Sequence, residues 1–174
     1  MPTEILVPNG DITVSSDWTK TGGGLATYTE IDEGASHDSD TSYVENLVIV
    51  PLNGNTFEFA LTNPVGTPNY GSGAASWTLR MWARSTGIAG GDLDISVYQG
   101  GTLKQGPYTH TLTTSYAQYT VLFDPAAIND ANDLRIRFAG NAGATFVPRV
   151  TATTLTIQQM VSPPNGLLLL GVGG

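Results

Sequence analysis

SWTLRMWARS, residues Ser76–Ser85, decides the fold. Trp77, Leu79, Met81 and Ala83 alternate with Thr78, Arg80, Trp82 and Arg84, the period of two that sends successive side chains to opposite faces of a strand. The first set reads as core and the second as an outer face, with Trp82 between two arginines. The same alternation recurs on either side. TFEFAL (Thr56–Leu61) places Phe57, Phe59 and Leu61 together, and LDISVYQ (Leu93–Gln99) does so for Leu93, Ile95 and Val97. LRIRFAG (Leu134–Gly140) sets Leu134, Ile136 and Phe138 against Arg135 and Arg137, and Val147–Met160 carries Thr153, Leu155 and Ile157 on one face. Two further strands are expected at Thr109–Ser115 and Tyr116–Asp124, and a single helical turn within Ala126–Ile136. Between these runs lie Asn53–Asn55, Asn63–Gly73, Gly87–Gly91, Gln99–Gly101 and Gly140–Gly143, where Gly and Asn supply positive φ and Pro fixes φ without a donor. About eight strands joined by such turns predict an antiparallel β-sandwich of jelly-roll type, with extended N- and C-terminal arms. An immunoglobulin-type sandwich is less well matched, because its Cys-Trp-Cys core is missing.

Composition agrees. The chain has 174 residues, of which 21 are Gly, 10 are Pro and 23 are Thr, and only 13% are charged. That is the β-branched, glycine-punctuated composition of an all-β protein. A formal net charge of −8 argues against a partner that needs a basic face, so neither nucleic acid nor a membrane surface is expected. The absence of Cys removes disulfides, thiolate metal sites and a cysteine nucleophile. The opening MPTEILVPNGD has neither a basic n-region nor a sustained apolar h-region, so no secretory signal is expected.

The charge is uneven. Ten of the 15 acids but only one base, Lys20, fall within residues 1–58, an asymmetry that can drive contacts between opposite patches of neighbouring subunits. We expect three parts: residues 1–43 as an acidic, Gly-rich arm with the first strands, 44–160 as the sandwich, and 161–174 as an apolar arm. Leu167, Leu168, Leu169, Leu170 and Val172 in the last part would be an aggregation liability in solvent, so they are expected to form an interface with another subunit.

Few constellations carry chemistry. The two histidines, His37 and His110, sit in unrelated contexts, and no nucleophile elbow, phosphate loop or dinucleotide fingerprint occurs. The protein is therefore expected not to be an enzyme and to carry no cofactor. Within EIDEGASHDSD (Glu30–Asp40), Asp32, Glu33, Asp38 and Asp40 are candidate ligands for calcium, which takes six to eight oxygens in loose geometry. The plainer reading is a solvated acidic loop. NDAND (Asn129–Asp133) is a weaker candidate, since Asn and Asp also make turns and caps. Trp82 flanked by Arg80 and Arg84, together with Tyr98 and Tyr70, could stack and hydrogen-bond a glycan; the competing reading is that Trp82 packs on a subunit.

The runs WTLRMWARSTG (Trp77–Gly87), LDISVYQGG (Leu93–Gly101), Thr111–Phe138 and RVTATTLTIQ (Arg149–Gln158) resemble β-sandwich domains of tailed-bacteriophage virion proteins, and Trp18–Val44 is similar to the segment that often precedes them. The resemblance implies a virion structural role, best matched by a capsid decoration (cement) protein that binds the outer capsid surface. It further implies assembly with itself as a homotrimer and with the major capsid protein, after synthesis in the host bacterial cytoplasm. The alternative is a glycan-binding β-sandwich of a tail or receptor-binding complex, and the second alternative a small carbohydrate-active enzyme.

Overall fold

The computed structural model describes residues 1–16, 18–21, 26–32, 41–46, 56–71, 74–86, 91–141 and 147–161. They form eleven β-strands and no α-helix: β1 (Thr3–Leu6), β2 (Pro8–Val14), β3 (Trp18–Thr21), β4 (Tyr43–Asn46), β5 (Thr56–Leu61), β6 (Trp77–Ser85), β7 (Asp92–Gln99), β8 (Thr102–Thr111), β9 (Ala117–Phe123), β10 (Leu134–Asn141) and β11 (Pro148–Gln158). Two antiparallel sheets face each other. The first runs β3-β4-β11-β6-β9, with β1 also paired to β11, and the second runs β2-β5-β10-β7-β8. This is the expected all-β jelly-roll sandwich.

The core forms where the two inner faces meet. β6 contributes Trp77, Leu79, Met81 and Ala83, which are buried along with Leu155 and Ile157 of β11 and Val121 and Phe123 of β9. The opposing sheet supplies Phe57, Phe59, Leu61, Leu93, Ile95, Val97, Leu134, Ile136 and Phe138. Burying each large side chain contributes about 1.5–3 kcal/mol. Trp18, Phe57, Phe59 and Phe138 pack as a tilted aromatic cluster with centroids 5.3–6.3 Å apart, the offset geometry that ring quadrupoles favour.

The expected strand at Thr109–Ser115 is displaced: β8 begins at Thr102 and ends at Thr111. Gly100 takes φ 57° in the tight connection from β7, so pairing starts immediately after the Gln99–Gly101 turn. Pro107 then sits inside β8 without breaking the sheet, because β8 is an edge strand and Pro107 falls between Gln105 and Tyr108, where the β7–β8 register shifts. The helical turn expected within Ala126–Ile136 is two 3₁₀ turns, Pro125–Ala127 and Ala131–Asp133, capped by the carboxylates of Asp124 and Asp130.

The N-terminal third is knitted into the sandwich. β1 pairs with β11, β2 with β5, and β3 with β4, which itself crosses the expected division between residues 43 and 44. These strands are hard to read in the sequence because they are short, and because β2 exposes Ile12 and Val14 at a sheet edge. The interface residues Leu167, Leu168, Leu169, Leu170 and Val172 lie outside the described residues.

Candidate functional site

Each sheet turns one face to the core and one away from it. Strand alternation therefore sorts the polar side chains of the central strands onto two outer faces, and all five arginines of the chain lie on them.

The outer face of the first sheet is built in rows across β11, β6 and β9. Thr156, Thr78 and Leu122 form one row, with Ile5 of β1 opposite Thr156; Thr154, Arg80 and Thr120 form the next. Ala152, Trp82 and Gln118 form the third, and Glu45, Arg149 and Arg84 the fourth. Trp82 is half-buried, whereas Arg80, Gln118 and Thr120 are exposed. Arg80 reaches toward β11, where Nη1 donates to Thr156 Oγ1 at 3.3 Å.

Arg149 reaches this face through an irregularity. Counting back by twos from Leu155 and Thr153 would place Arg149 toward the core. The β6–β11 register shifts between Val150 and Ala152, which inserts Thr151 and reverses the alternation. Arg149 then stands directly opposite Arg84, an unfavourable pairing of like charges. Both are compensated on the same face. Arg149 Nε donates to Glu45 Oε2 at 2.7 Å and its guanidinium carbon lies 4.2 Å from the Tyr43 ring centroid, while that of Arg84 lies 5.1 Å from the Tyr116 ring. Tyr43, Glu45, Arg149 and Tyr116 were not singled out by the sequence reading; they come together through strand pairing.

The outer face of the second sheet is organised around Glu58, which is 2% exposed beneath two arginines. Arg137 Nε donates to Glu58 Oε2 at 2.7 Å, and Arg135 Nη1 lies 3.6 Å from Glu58 Oε1. Arg135 also pairs with Asp133 at 3.1 Å. Arg137 Nη1 donates to Tyr98 Oη at 2.7 Å and its guanidinium lies over the Tyr98 ring. Further along, Thr109 and Thr111 donate to the carboxylates of Asp94 and Asp92 at 2.6 Å.

The candidate glycan contacts are thus divided. Trp82, Arg80 and Arg84 share one outer face, and Tyr98 belongs to the other, with one ring face taken by Arg137. Tyr70 is a structural residue: its ring packs 5.6 Å from Trp77, and its hydroxyl accepts from the Ala131 amide at 2.8 Å. Burial raises its pKa.

Of the calcium candidates, Asp32 is described, and burial raises its carboxyl pKa; Glu33, Asp38 and Asp40 lie outside the described residues. Among the described residues no three His, Asp or Glu side chains converge as a metal site. Within Asn129–Asp133 the acids have structural tasks: Asp130 caps a 3₁₀ turn and Asp133 holds Arg135. His110 stands on β8 with its ring edge-on to Tyr119 at 5.5 Å, and burial lowers its pKa. His37 lies outside the described residues. No helix among the described residues is long and apolar enough to cross a membrane.

No family model matches the chain, and no curated protein matches it. Its fold, however, is that of solved jelly-roll sandwiches. The xylan-binding module CBM15 superposes with a TM-score of 0.53 at 12% identity, over 92% of this chain and 100% of that one. The C-terminal CBM6 of LamC, a marine laminarinase from Zobellia galactanivorans, gives 0.50 at 10% identity over 90% and 100%. A cleaved adhesin domain of Lys-gingipain from Porphyromonas gingivalis gives 0.51 at 12% identity over 89% and 99%. The protein shares its architecture with these domains, two of which are carbohydrate-binding modules.

Proposed function

We propose that the protein is a glycan-binding β-sandwich and that the outer face of β11, β6 and β9 receives the sugar. The observation that carries this reading is Trp82: a half-buried indole on a sheet face, flanked on its own strand by Arg80 and Arg84, with the exposed Gln118 and Thr120 beside it on β9. The C–H face of a pyranose packs against an aromatic ring, while guanidinium, amide and hydroxyl groups satisfy the sugar hydroxyls. The opposite face is less suited, since the ring of Tyr98 is covered by the guanidinium of Arg137. The fold shared with a xylan-binding module and the carbohydrate-binding module of a laminarinase supports the same reading. The capsid-decoration role, and the trimer and major-capsid contacts implied with it, draw only on the sequence resemblance. Service in a tail or receptor-binding complex would reconcile that resemblance with sugar binding.

The reading is one of binding without catalysis. The glutamates on the two outer faces, Glu45 and Glu58, are held against arginines as ion-pair partners. A glycan array followed by calorimetric titration tests the proposal: the wild-type chain binds, and Trp82→Ala loses at least about tenfold in affinity with its far-UV spectrum unchanged. Equal affinity in the folded variant would remove this face from the proposal.

A further inference from the structure

Nine large apolar side chains are exposed among the described residues, and four of them gather at one end of the sandwich: Met1, Val65, Met160 and Val161. Backbone pairing brings them together. The Gln159 amide donates to the Pro2 carbonyl at 3.0 Å, and the Met160 amide donates to the Thr67 carbonyl at 2.8 Å. The chain leaving β11 therefore runs between Pro2 and the loop of residues 65–67. Met1 reaches toward the same loop, its Sδ 3.8 Å from Asn69 Nδ2. The loop itself is held firmly. Glu4 accepts from the Val65 and Gly66 amides, and Pro68 is bridged to Gln159. The Gln159 side chain lies so close to Gly66 that a Cβ there would collide with it. Val65 is nonetheless 96% exposed. A pinned backbone thus holds an aliphatic side chain in water beside three other apolar groups, and the exposed Ile5 extends this surface along β1. Single apolar residues on a surface need no partner, whereas contiguous ones mark a site of contact.

We infer that this apolar end seats the chain's own residues 167–172, with Leu167, Leu168, Leu169, Leu170 and Val172 as the contacting groups. Reach and sequence favour this occupant. Leu167 is the sixth residue after Val161, and six residues span at most about 20 Å. Pro163 and Pro164 have no N–H with which to continue a ladder beside β11. Asn165 and Gly166 follow, the dipeptide that most readily reverses a chain. A reversal there brings the leucines back toward Met160 and Val161. So short a tether holds them at a millimolar effective concentration, which a separate molecule in dilute solution does not reach. The chemistry of the two surfaces also matches. The patch offers aliphatic and thioether groups, and the Glu4 carboxylate beside it is occupied by two amides and the Gln159 side chain. A neighbouring subunit, the partner expected for these leucines from the sequence, becomes the competing occupant.

The chain has no Cys, so introduced pairs of cysteines report the contact directly. Val65→Cys is combined in the full chain with Leu167→Cys, Leu168→Cys, Leu169→Cys or Leu170→Cys, one at a time, and each variant is oxidised mildly at low concentration. A disulfide closes only where the two Cα atoms come within about 7 Å. At least one pair is expected to close within a single chain, read as a monomer that has lost both free thiols. The control is Thr114→Cys with the same partners, since Thr114 lies beyond Ser85 at the far end of β6; it should close at least about tenfold more slowly. In the pair that closes, replacing a leucine next to the new cysteine by Asp should slow closure by a similar factor with the far-UV spectrum unchanged, because a charge resists burial among apolar groups. Closure as a covalent dimer would give the patch to a second copy and overturn the inference. Failure of all four pairs, or equal rates with Thr114→Cys, would overturn it as well. Sugar binding is read on the array, so either reading can fail alone.

Discussion

The guanidinium of Arg137 lies across the ring of Tyr98, its central carbon 3.9 Å from the ring centroid, while Nη1 donates to the phenol oxygen at 2.7 Å. One of the three aromatic residues that the sequence offers to a sugar is therefore built into a polar lattice of its own sheet. Tyr98→Phe keeps the stacking and removes the acceptor. It should cost about 0.5–1.5 kcal/mol in urea unfolding and leave glycan affinity unchanged. A loss of affinity in the folded variant would show that the second sheet, rather than the Trp82 face, meets the ligand.

Glu58 is the keystone of that lattice. It is 2% exposed and accepts from Arg137 while facing Arg135. Glu58→Gln leaves two partly exposed arginines side by side without their shared counter-charge. A fully buried pair broken in this way costs about 3–5 kcal/mol, and solvent reaching the arginines reduces the expectation here to about 2 kcal/mol. Chemical denaturation measures it, and an unchanged midpoint would mean that the cluster contributes nothing net.

Thr153 offers the opposite sign. It is fully buried opposite Met81 on the core side of β11, and its hydroxyl finds no hydrogen-bond partner among the described residues. Valine has nearly the same shape without the stranded polar group. Thr153→Val should raise stability by about 1 kcal/mol, read as a higher urea midpoint at constant slope. A destabilised variant would show that the hydroxyl is satisfied in solution.

Glu4 fastens the first strand to the loop before Pro68. Its carboxylate accepts from the Val65 amide at 2.8 Å, the Gly66 amide at 3.3 Å and the Gln159 side chain. The Val65 bond is the largest cause holding its pKa below 4.5, with burial partly opposing it. A carboxyl whose folded pKa is depressed contributes stability that is present above its unfolded value and lost as pH falls through the folded one. Glu4→Gln should therefore be less stable than wild type near neutral pH, and the gap should close as acid protonates the Glu4 carboxylate. A gap independent of pH would show that the carboxylate's charge is not what matters.

Much of the fold is legible in the chain because alternation is local. Trp77, Leu79 and Met81 fall on one side of a strand, and Arg80, Trp82 and Arg84 on the other, through backbone geometry that needs no knowledge of neighbours. The same reasoning places Arg135 and Arg137 opposite Ile136. It is weaker for β1 to β4, where short strands leave little periodicity, and it misplaces Arg149, since one inserted residue at Thr151 reverses everything upstream.

Alternation by itself determined that this protein is an all-β sandwich and which side chains turn away from its core. The tertiary structure alone decided which of those side chains meet. Glu58 and Arg137 are 79 residues apart, and Glu45 and Arg149 are 104 apart; both pairs exist only because particular strands lie side by side. Strand order also set Trp82 and Tyr98 on opposite outer faces, occupied Tyr98 with Arg137, and left the indole among arginines and threonines. Side-chain direction repeats every two residues along any strand, whereas strand pairing is a non-local choice made by the packing of the whole core.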